Sequence, residues 1–258
     1  MASDNRGKFV WYDLMTGDPE AARDFYTQLI GWGTQEWEGG DRPYTMWTNQ
    51  DTPLGGVLEM PDEVRRAGAP PHWMAYVEVD DVKSTAAKVE EGGGSVLHGP
   101  MDVPNAGSFA VLSDPQGAAF AVYHSAKQEA HNQPDASQVG QFSWNELATS
   151  DYKKAFSFYS DLFGWEPKEA MDMGEAGIYQ LYGRGESSFG GMFNKPDEMP
   201  GPPMWLYYIK VEDVKASAKK VEELGGQVIN GPMEVPGGDL IAQCVDPQGA
   251  LFAIHSTS

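Results

Sequence analysis

Two hydrophobic rhythms alternate along the chain. Runs such as FVWYDLM from Phe9 and HWMAYVEV from His72 are dense in apolar residues and change character at every second position, which predicts strands. Each run leads into a segment with the spacing of a buried helical face. In the first, Asp18 is the expected N-cap and Pro19 takes the first helical position; Ala21, Ala22, Phe25, Tyr26 and Leu29 form the apolar stripe, and Gly31 ends the helix. In the second, Asp80 or Asp81 caps a helix reaching about Glu91, stopped by the glycines Gly92 to Gly94. Short strand-like runs, SVLHGP, FAVLSDP and AFAVYH, follow between Gly, Pro and Asn clusters. DPQG at Asp114 reads as a hairpin turn, with Pro presetting φ and Gly tolerating a positive one. The unit is a strand, a helix, then about three strands.

This unit predicts itself four times. Trp73 to Pro104 overlays Trp205 to Pro236 at an offset of 132 with 19 identities in 32 positions, and DPQGAAF at Asp114 meets DPQGALF at Asp246 in the same register. Phe9 to Trp32 returns as Phe142 to Trp165 at an offset of 133, while GGV from Gly55 meets GGM from Gly190 at 135, so the length changes fall in loops. Within the first copy an offset of 63 sets Trp11 on Met74 and Asp18 on Asp81. Two homologous domains follow, 7–125 and 140–257, each of two modules, joined by a polar linker from His124 to Gly140. Pairing of modules within a domain and exchange between domains are both compatible with the repeat.

Composition narrows the partners. With 38 acidic against 18 basic side chains the formal charge is −20, which opposes phosphate backbones and anionic lipid, so neither nucleic acid nor membrane is an expected partner. No run approaches the ~18 apolar residues of a membrane helix, and MASDNRGKF lacks an apolar signal region, so a cytoplasmic setting is expected. Cys244 is the one cysteine, which rules out an intrachain disulfide; in the strand-like LIAQCVDP it reads as a buried, inert thiol.

The order strand, capped helix ending FY…GW, HWMAYVEVDDV, then DPQGAAFAVY, present twice, resembles the vicinal oxygen chelate superfamily of glyoxalases, bleomycin-resistance proteins and extradiol dioxygenases. The pairing of WYDL and WNEL with GPMDVP…DPQGA is similar to its tandem two-domain members. The resemblance implies an α+β fold of two tandem glyoxalase/bleomycin-resistance-like domains, with four βαβββ modules whose mixed sheets form cups around a small ligand or a metal. It also implies that two fused domains supply the pairing which single-domain relatives obtain by dimerising, so a monomer is expected, with a homodimer as the alternative.

Metal-dependent members carry a His on the first strand seven residues before the capping Asp, its counterpart in the second module, and a Glu seven residues after the last DP. Counting here gives Trp11 and Trp144, Met74 and Leu206, and Ala121 and Ala253. None is a donor that a divalent ion takes. No metal and no other cofactor is therefore expected. The histidines, His72, His98, His124, His131 and His255, do not recur in pairs across the repeat and read as strand-end or surface residues.

Strand alternation then says what lines the cups. With Trp11 inward, Phe9 and Asp13 share its face while Tyr12 and Leu14 pack on the helix. Met74, Tyr76, Ala121 and Tyr123 join the first set; Trp144, Glu146, Leu206, Tyr208, Ala253 and His255 form the second. This suits a flat, partly apolar small molecule with Asp13 and Glu146 as polar anchors; the alternative is a glyoxalase-type lyase, isomerase or dioxygenase, either metal-dependent or using Asp13 and Glu146 as general bases. The difference between Tyr123 and His255 leaves room for only one functional domain. GPMDVP and GPMEVP are expected as loops near the cup mouth, and no Ser-His-Asp order recurs in both halves.

Overall fold

The computed structural model describes residues 5–39, 44–126, 136–199 and 201–257. His131 and residues 127–135 of the expected linker lie outside the described residues. The first repeat runs β1 (Phe9–Thr16), α1 (Pro19–Ile30), β2 (Gly33–Glu36), β3 (Thr45–Asn49), β4 (Thr52–Glu59), the short α2 (Asp62–Arg66), β5 (His72–Glu78), α3 (Val82–Glu91), β6 (Ser95–Val103), β7 (Gly107–Ser113) and β8 (Ala119–Ser125). The second runs β9 (Phe142–Thr149), α4 (Tyr152–Phe163), β10 (Glu166–Asp172), β11 (Ile178–Arg184), β12 (Ser187–Asn194), β13 (Met204–Lys210), α5 (Val214–Glu223), β14 (Gln227–Glu234), β15 (Leu240–Val245) and β16 (Leu251–Ser256). Each repeat builds one eight-stranded mixed sheet, ordered β2-β3-β4-β1-β5-β8-β7-β6 and β10-β11-β12-β9-β13-β16-β15-β14. The fold is α+β, four βαβββ modules in two tandem halves.

The helices begin and end where their residues dictate. Asp18, Asp81, Asp151 and Asp213 each accept a backbone N–H of the first turn, and Gly31 and Gly164 end α1 and α4 in the left-handed region at φ 84° and 71°. The GPMDVP and GPMEVP segments are not loops. Gly99 to Val103 belongs to β6 and Gly231 to Glu234 to β14, with a register shift between His98 and Met101 and between Asn230 and Met233. Proline has no N–H to give the ladder, and an irregularity at that point lets the strand continue past it.

By contact density the chain divides into two compact units, each drawing modules from both repeats. One comprises Met1–Val10, Ala75–Asn132 and Trp144–Trp205; the other comprises Trp11–Met74, Gln133–Ser143 and Leu206–Ser258. In the first, Phe9, Tyr159, Phe163, Trp165, Tyr182 and Trp205 form an aromatic core, and α3 lies against α4. Trp165 Nε1 donates to the Gly7 carbonyl at 2.6 Å, and the buried Tyr159 hydroxyl accepts from Trp205 Nε1 at 3.2 Å and donates to Asp114 Oδ2 at 3.1 Å. In the second unit Tyr12, Tyr26, Trp32, Trp47, Trp73 and Phe142 take these places, and α1 lies against α5. Trp32 Nε1 donates to Gly140 O at 2.7 Å, and Tyr26 accepts from Trp73 Nε1 at 2.9 Å and donates to Asp246 Oδ2 at 3.2 Å. The DPQG motif is the expected turn, but its aspartate is also the anchor of this buried aromatic network.

Phe9 departs from the alternation that puts it beside Trp11: it packs on Trp165 and Trp205. At the start of β1, Gly7 donates to the Glu78 carbonyl while Glu78 donates to the Lys8 carbonyl, so two residues oppose one. Among the described residues no helix is long and apolar enough to cross a membrane.

Candidate functional site

Asp13 and Glu146 lie on β1 and β9, where each pairs in parallel register with a glycine, Gly56 on β4 and Gly191 on β12. These glycines are required by an aromatic neighbour. A Cβ on Gly56 would sit 2.2 Å from Cζ and Oη of Tyr44, and one on Gly191 would sit 2.0 Å from Cε1 of Tyr179. The preceding glycines serve the backbone: a Cβ on Gly55 would lie 1.9 Å from the Tyr12 carbonyl oxygen, and one on Gly190 would lie 1.7 Å from that of Asn145. The Gly-Gly pair thus brings two strands together and gives a tyrosine a flat floor beside a carboxylate.

The result is a Trp–carboxylate–Tyr cluster in each compact unit. Trp11 Nε1 donates to Asp13 Oδ1 at 2.9 Å and to Tyr44 Oη at 2.6 Å, and Tyr44 Oη donates to Asp13 Oδ1 at 2.6 Å. In the other unit Trp144 Nε1 donates to Tyr179 Oη at 2.9 Å, which donates to Glu146 Oε2 at 2.8 Å. Asp13 and Glu146 are buried, while Trp11, Tyr44, Trp144 and Tyr179 keep part of their surface in solvent. Asp13 accepts from both of its rings, and Glu146 accepts from Tyr179, which in turn accepts from Trp144, so each acid anchors a hydrogen-bonded pair of rings. Such a cluster offers an aromatic face, a hydroxyl and a carboxylate able to hold a proton.

The other expected residues fall into two groups. Tyr76 is in register with Ala121, its ring is 6.0 Å from that of Phe109, and the Tyr123 hydroxyl donates to the Ala106 carbonyl at 2.6 Å; burial pushes the Tyr123 phenol upward from its ordinary range. Tyr208 is in register with Ala253, and its hydroxyl accepts from Gln243 Nε2 at 3.3 Å, whose Oε1 accepts from Asn230 Nδ2 at 3.2 Å. Met74 and Leu206 are buried on β5 and β13. His255 is neither solvated nor a bare strand end: Nε2 lies 2.9 Å from Asp239 Oδ2 and Nδ1 lies 3.0 Å from Ser143 Oγ.

Tyr44 and Tyr179 escaped the alternation argument because they lie outside the strands it was applied to. Their signal was present, since they match at the offset of 135 that relates Gly55 to Gly190. Gln243, Asn230, Asp239 and Ser143 were missed because their N-terminal counterparts are Val111, His98, Gly107 and Val10.

The positions where the family resemblance places metal ligands hold Trp11, Met74, Ala121, Trp144, Leu206 and Ala253, whose side chains are indole, thioether and hydrocarbon. This donor set does not fit a divalent ion. Among the described residues no group of three or more His, Cys, Asp or Glu side chains comes together as a metal site.

The sequence profile of the Glyoxalase/Bleomycin resistance protein/Dioxygenase superfamily matches residues 8–122 and 139–254. CFP32 of Mycobacterium tuberculosis, named a "Putative glyoxylase", is 34% identical over 247 residues, 95% of this chain and 92% of that protein. The anthracycline biosynthesis protein DnrV of Streptomyces peucetius is 31% identical over 260 residues, covering 96% and 92%. The crystal structure of the Mn(II)-bound glyoxalase from Novosphingobium aromaticivorans superposes with a TM-score of 0.63 at 18% identity, over 99% of this chain and 83% of that one.

Proposed function

The chain belongs to the Glyoxalase/Bleomycin resistance protein/Dioxygenase superfamily, and from that premise we propose that it binds a small, flat, partly apolar molecule directly on its Trp–carboxylate–Tyr clusters, without the family's usual metal. One observation carries this reading: at Trp11 and Trp144, where the family resemblance expects a first-strand ligand, both repeats hold an indole tied to a tyrosine and a buried carboxylate. An aromatic face fixed by polar neighbours is the composition of a site that stacks a ring and orients it by a few hydrogen bonds. The relative named for anthracycline biosynthesis favours an aromatic ligand. In an acidic chain of formal charge −20, a ligand that donates hydrogen bonds to Asp13 or Glu146 fits better than a polyanion.

The test is fluorescence titration with an anthracycline and with 2-naphthol as probes. Saturable quenching that weakens about 10-fold or more in Asp13→Asn or Glu146→Gln supports the proposal, by the strength of a hydrogen bond to a charged group. Full affinity in the double variant overturns it.

A second reading rests on the 2.6 Å contact between the Tyr44 hydroxyl and Asp13. A carboxylate so placed can accept a proton from a bound carbonyl compound, the role of a general base in a glyoxalase-type isomerase or lyase. Under this reading Asp13→Asn abolishes turnover while leaving a bound aromatic in place.

A further inference from the structure

Three side chains of one compact unit form an unbroken hydrogen-bonded chain. His255 on β16 lies with Nε2 2.9 Å from Asp239 Oδ2 and with Nδ1 3.0 Å from Ser143 Oγ. All three belong to the unit made of Trp11–Met74, Gln133–Ser143 and Leu206–Ser258. An ionised carboxylate only accepts, so this network assigns the ring proton to Nε2 and leaves Nδ1 the lone pair that the serine hydroxyl meets. The hydroxyl's alternative acceptor, the Tyr208 carbonyl, is farther away at 3.4 Å. Acid, imidazole and hydroxyl thus stand in the order of orienting group, base and nucleophile.

The fold does not demand this chain. In the N-terminal repeat the equivalents of Ser143, Asp239 and His255 are Val10, Gly107 and Tyr123, and there the Tyr123 hydroxyl donates to the Ala106 carbonyl at 2.6 Å instead. Nor is the chain sealed: His255 and Asp239 keep 18% and 34% of their side chains in solvent, and Ser143 is half-buried. Beside it lies a surface for an acyl or aryl group. Ala253 pairs with Tyr208 and Gln243, and His255 pairs with Ile241, so Tyr208, Ile241 and Ala253 share the face of His255. A ring, a branched hydrocarbon and a small residue together suit an apolar group.

We propose that Ser143 is an activated nucleophile toward esters of small, partly apolar acids, with His255 as its general base and Asp239 as the residue positioning the imidazole. The Ser143 oxygen bonds to the acyl carbon as its proton passes to His255 Nδ1. The ester C–O bond then breaks, the departing oxygen takes that proton, and the acyl group stays on Ser143. Water repeats the exchange, releasing the acid and restoring the serine; nothing is oxidised or reduced. The site uses no residue of the Trp–carboxylate–Tyr clusters and stands if they bind nothing.

The probes are diisopropyl fluorophosphate, which leaves a phosphoryl group on an activated serine, and p-nitrophenyl butyrate, whose hydrolysis releases a coloured phenolate. Peptide mapping of labelled wild-type protein is expected to place the adduct on Ser143. Ser143→Ala is expected to lose it, while Ser157→Ala, at an exposed serine of α4, keeps it. Ester turnover is expected to fall about 100-fold or more in Ser143→Ala and His255→Gln, the contribution of a positioned base. Asp239→Asn presents an N–H to Nε2 and so moves the ring proton to Nδ1, which then cannot take the serine's. Its kcat is expected to fall by a similar factor with KM unchanged, and Asp239→Glu to recover part of the loss. If a variant does not fold, the mapping on wild-type protein still decides. No adduct on Ser143, turnover that survives in Ser143→Ala or His255→Gln, wild-type kcat in Asp239→Asn, or no recovery in Asp239→Glu would each overturn the assignment.

Discussion

Gly190→Ala and Gly191→Ala place the same methyl group one residue apart and should fail differently. At Gly190 the new carbon arrives 1.7 Å from the Asn145 carbonyl oxygen, a backbone atom of the paired strand β9 that cannot swing away. Relief requires the strands to part, so overpacking adds to the loss of ladder hydrogen bonds, roughly 3–5 kcal/mol together. At Gly191 the carbon meets the ring of Tyr179, 2.0 Å from Cε1, and a side chain can rotate out. What is lost is the 2.8 Å bond to Glu146 and the 2.9 Å bond from Trp144, partly replaced by water, about 1–2 kcal/mol. Thermal unfolding followed by circular dichroism should show Tm falling by roughly 10 °C for Gly190→Ala and by a few degrees for Gly191→Ala, using about 2–4 °C per kcal/mol for a chain of this size. Tryptophan emission should change in folded Gly191→Ala, because Trp144 loses its partner. Equal destabilisation, the reverse order, or unaltered emission in Gly191→Ala would refute the division of labour between the two glycines.

Three further outcomes follow from the buried polar groups. Tyr26→Phe strands Trp73 Nε1 and removes a donor from Asp246, so unfolding free energy should fall by about 2–3 kcal/mol in denaturant titration, and a loss under about 0.5 would contradict the network. Glu78 is buried, with Oε2 lacking a protein partner, and its pKa is raised above 4.5 chiefly by desolvation; its contribution to stability is full below that value and lost as pH rises through the folded pKa. Glu78→Gln should therefore gain on wild type in urea midpoints between pH 4 and 8, and a growing deficit would show the opposite sign. Burial pushes the Cys244 thiol up to about 12, so a thiol reagent at pH 8 should label it only after unfolding, and rapid labelling of the folded chain would contradict its enclosure.

Much of the fold was legible because its signals are local and repeated. The capping aspartates, the glycines Gly31 and Gly164, and the DPQG turns act through neighbouring backbone, and each occurs in both copies. Trp11 with Asp13 and Trp144 with Glu146 were also readable, since residues two apart on a strand share a face. What alternation could not give was the partner from another strand. Tyr44 and Tyr179 reach the acids only because Gly56 and Gly191 clear the space. The place of Phe9 was beyond alternation for the same reason, since it is set by Trp165 and Trp205, rings from other segments. Asp239 and Ser143 went unread as the partners of His255 because comparing the copies rewards what they keep, and these residues are what one copy changed.

The account turns on a carboxylate and a tyrosine doing at Trp11 and Trp144 what relatives assign to an ion. Elemental analysis of protein expressed with added Mn, Fe, Ni and Zn, then dialysed, tests this most directly. Substoichiometric metal, with probe binding unchanged by a chelator, is the predicted result. One tightly held ion per repeat, whose removal abolishes binding and whose return restores it, would contradict the account.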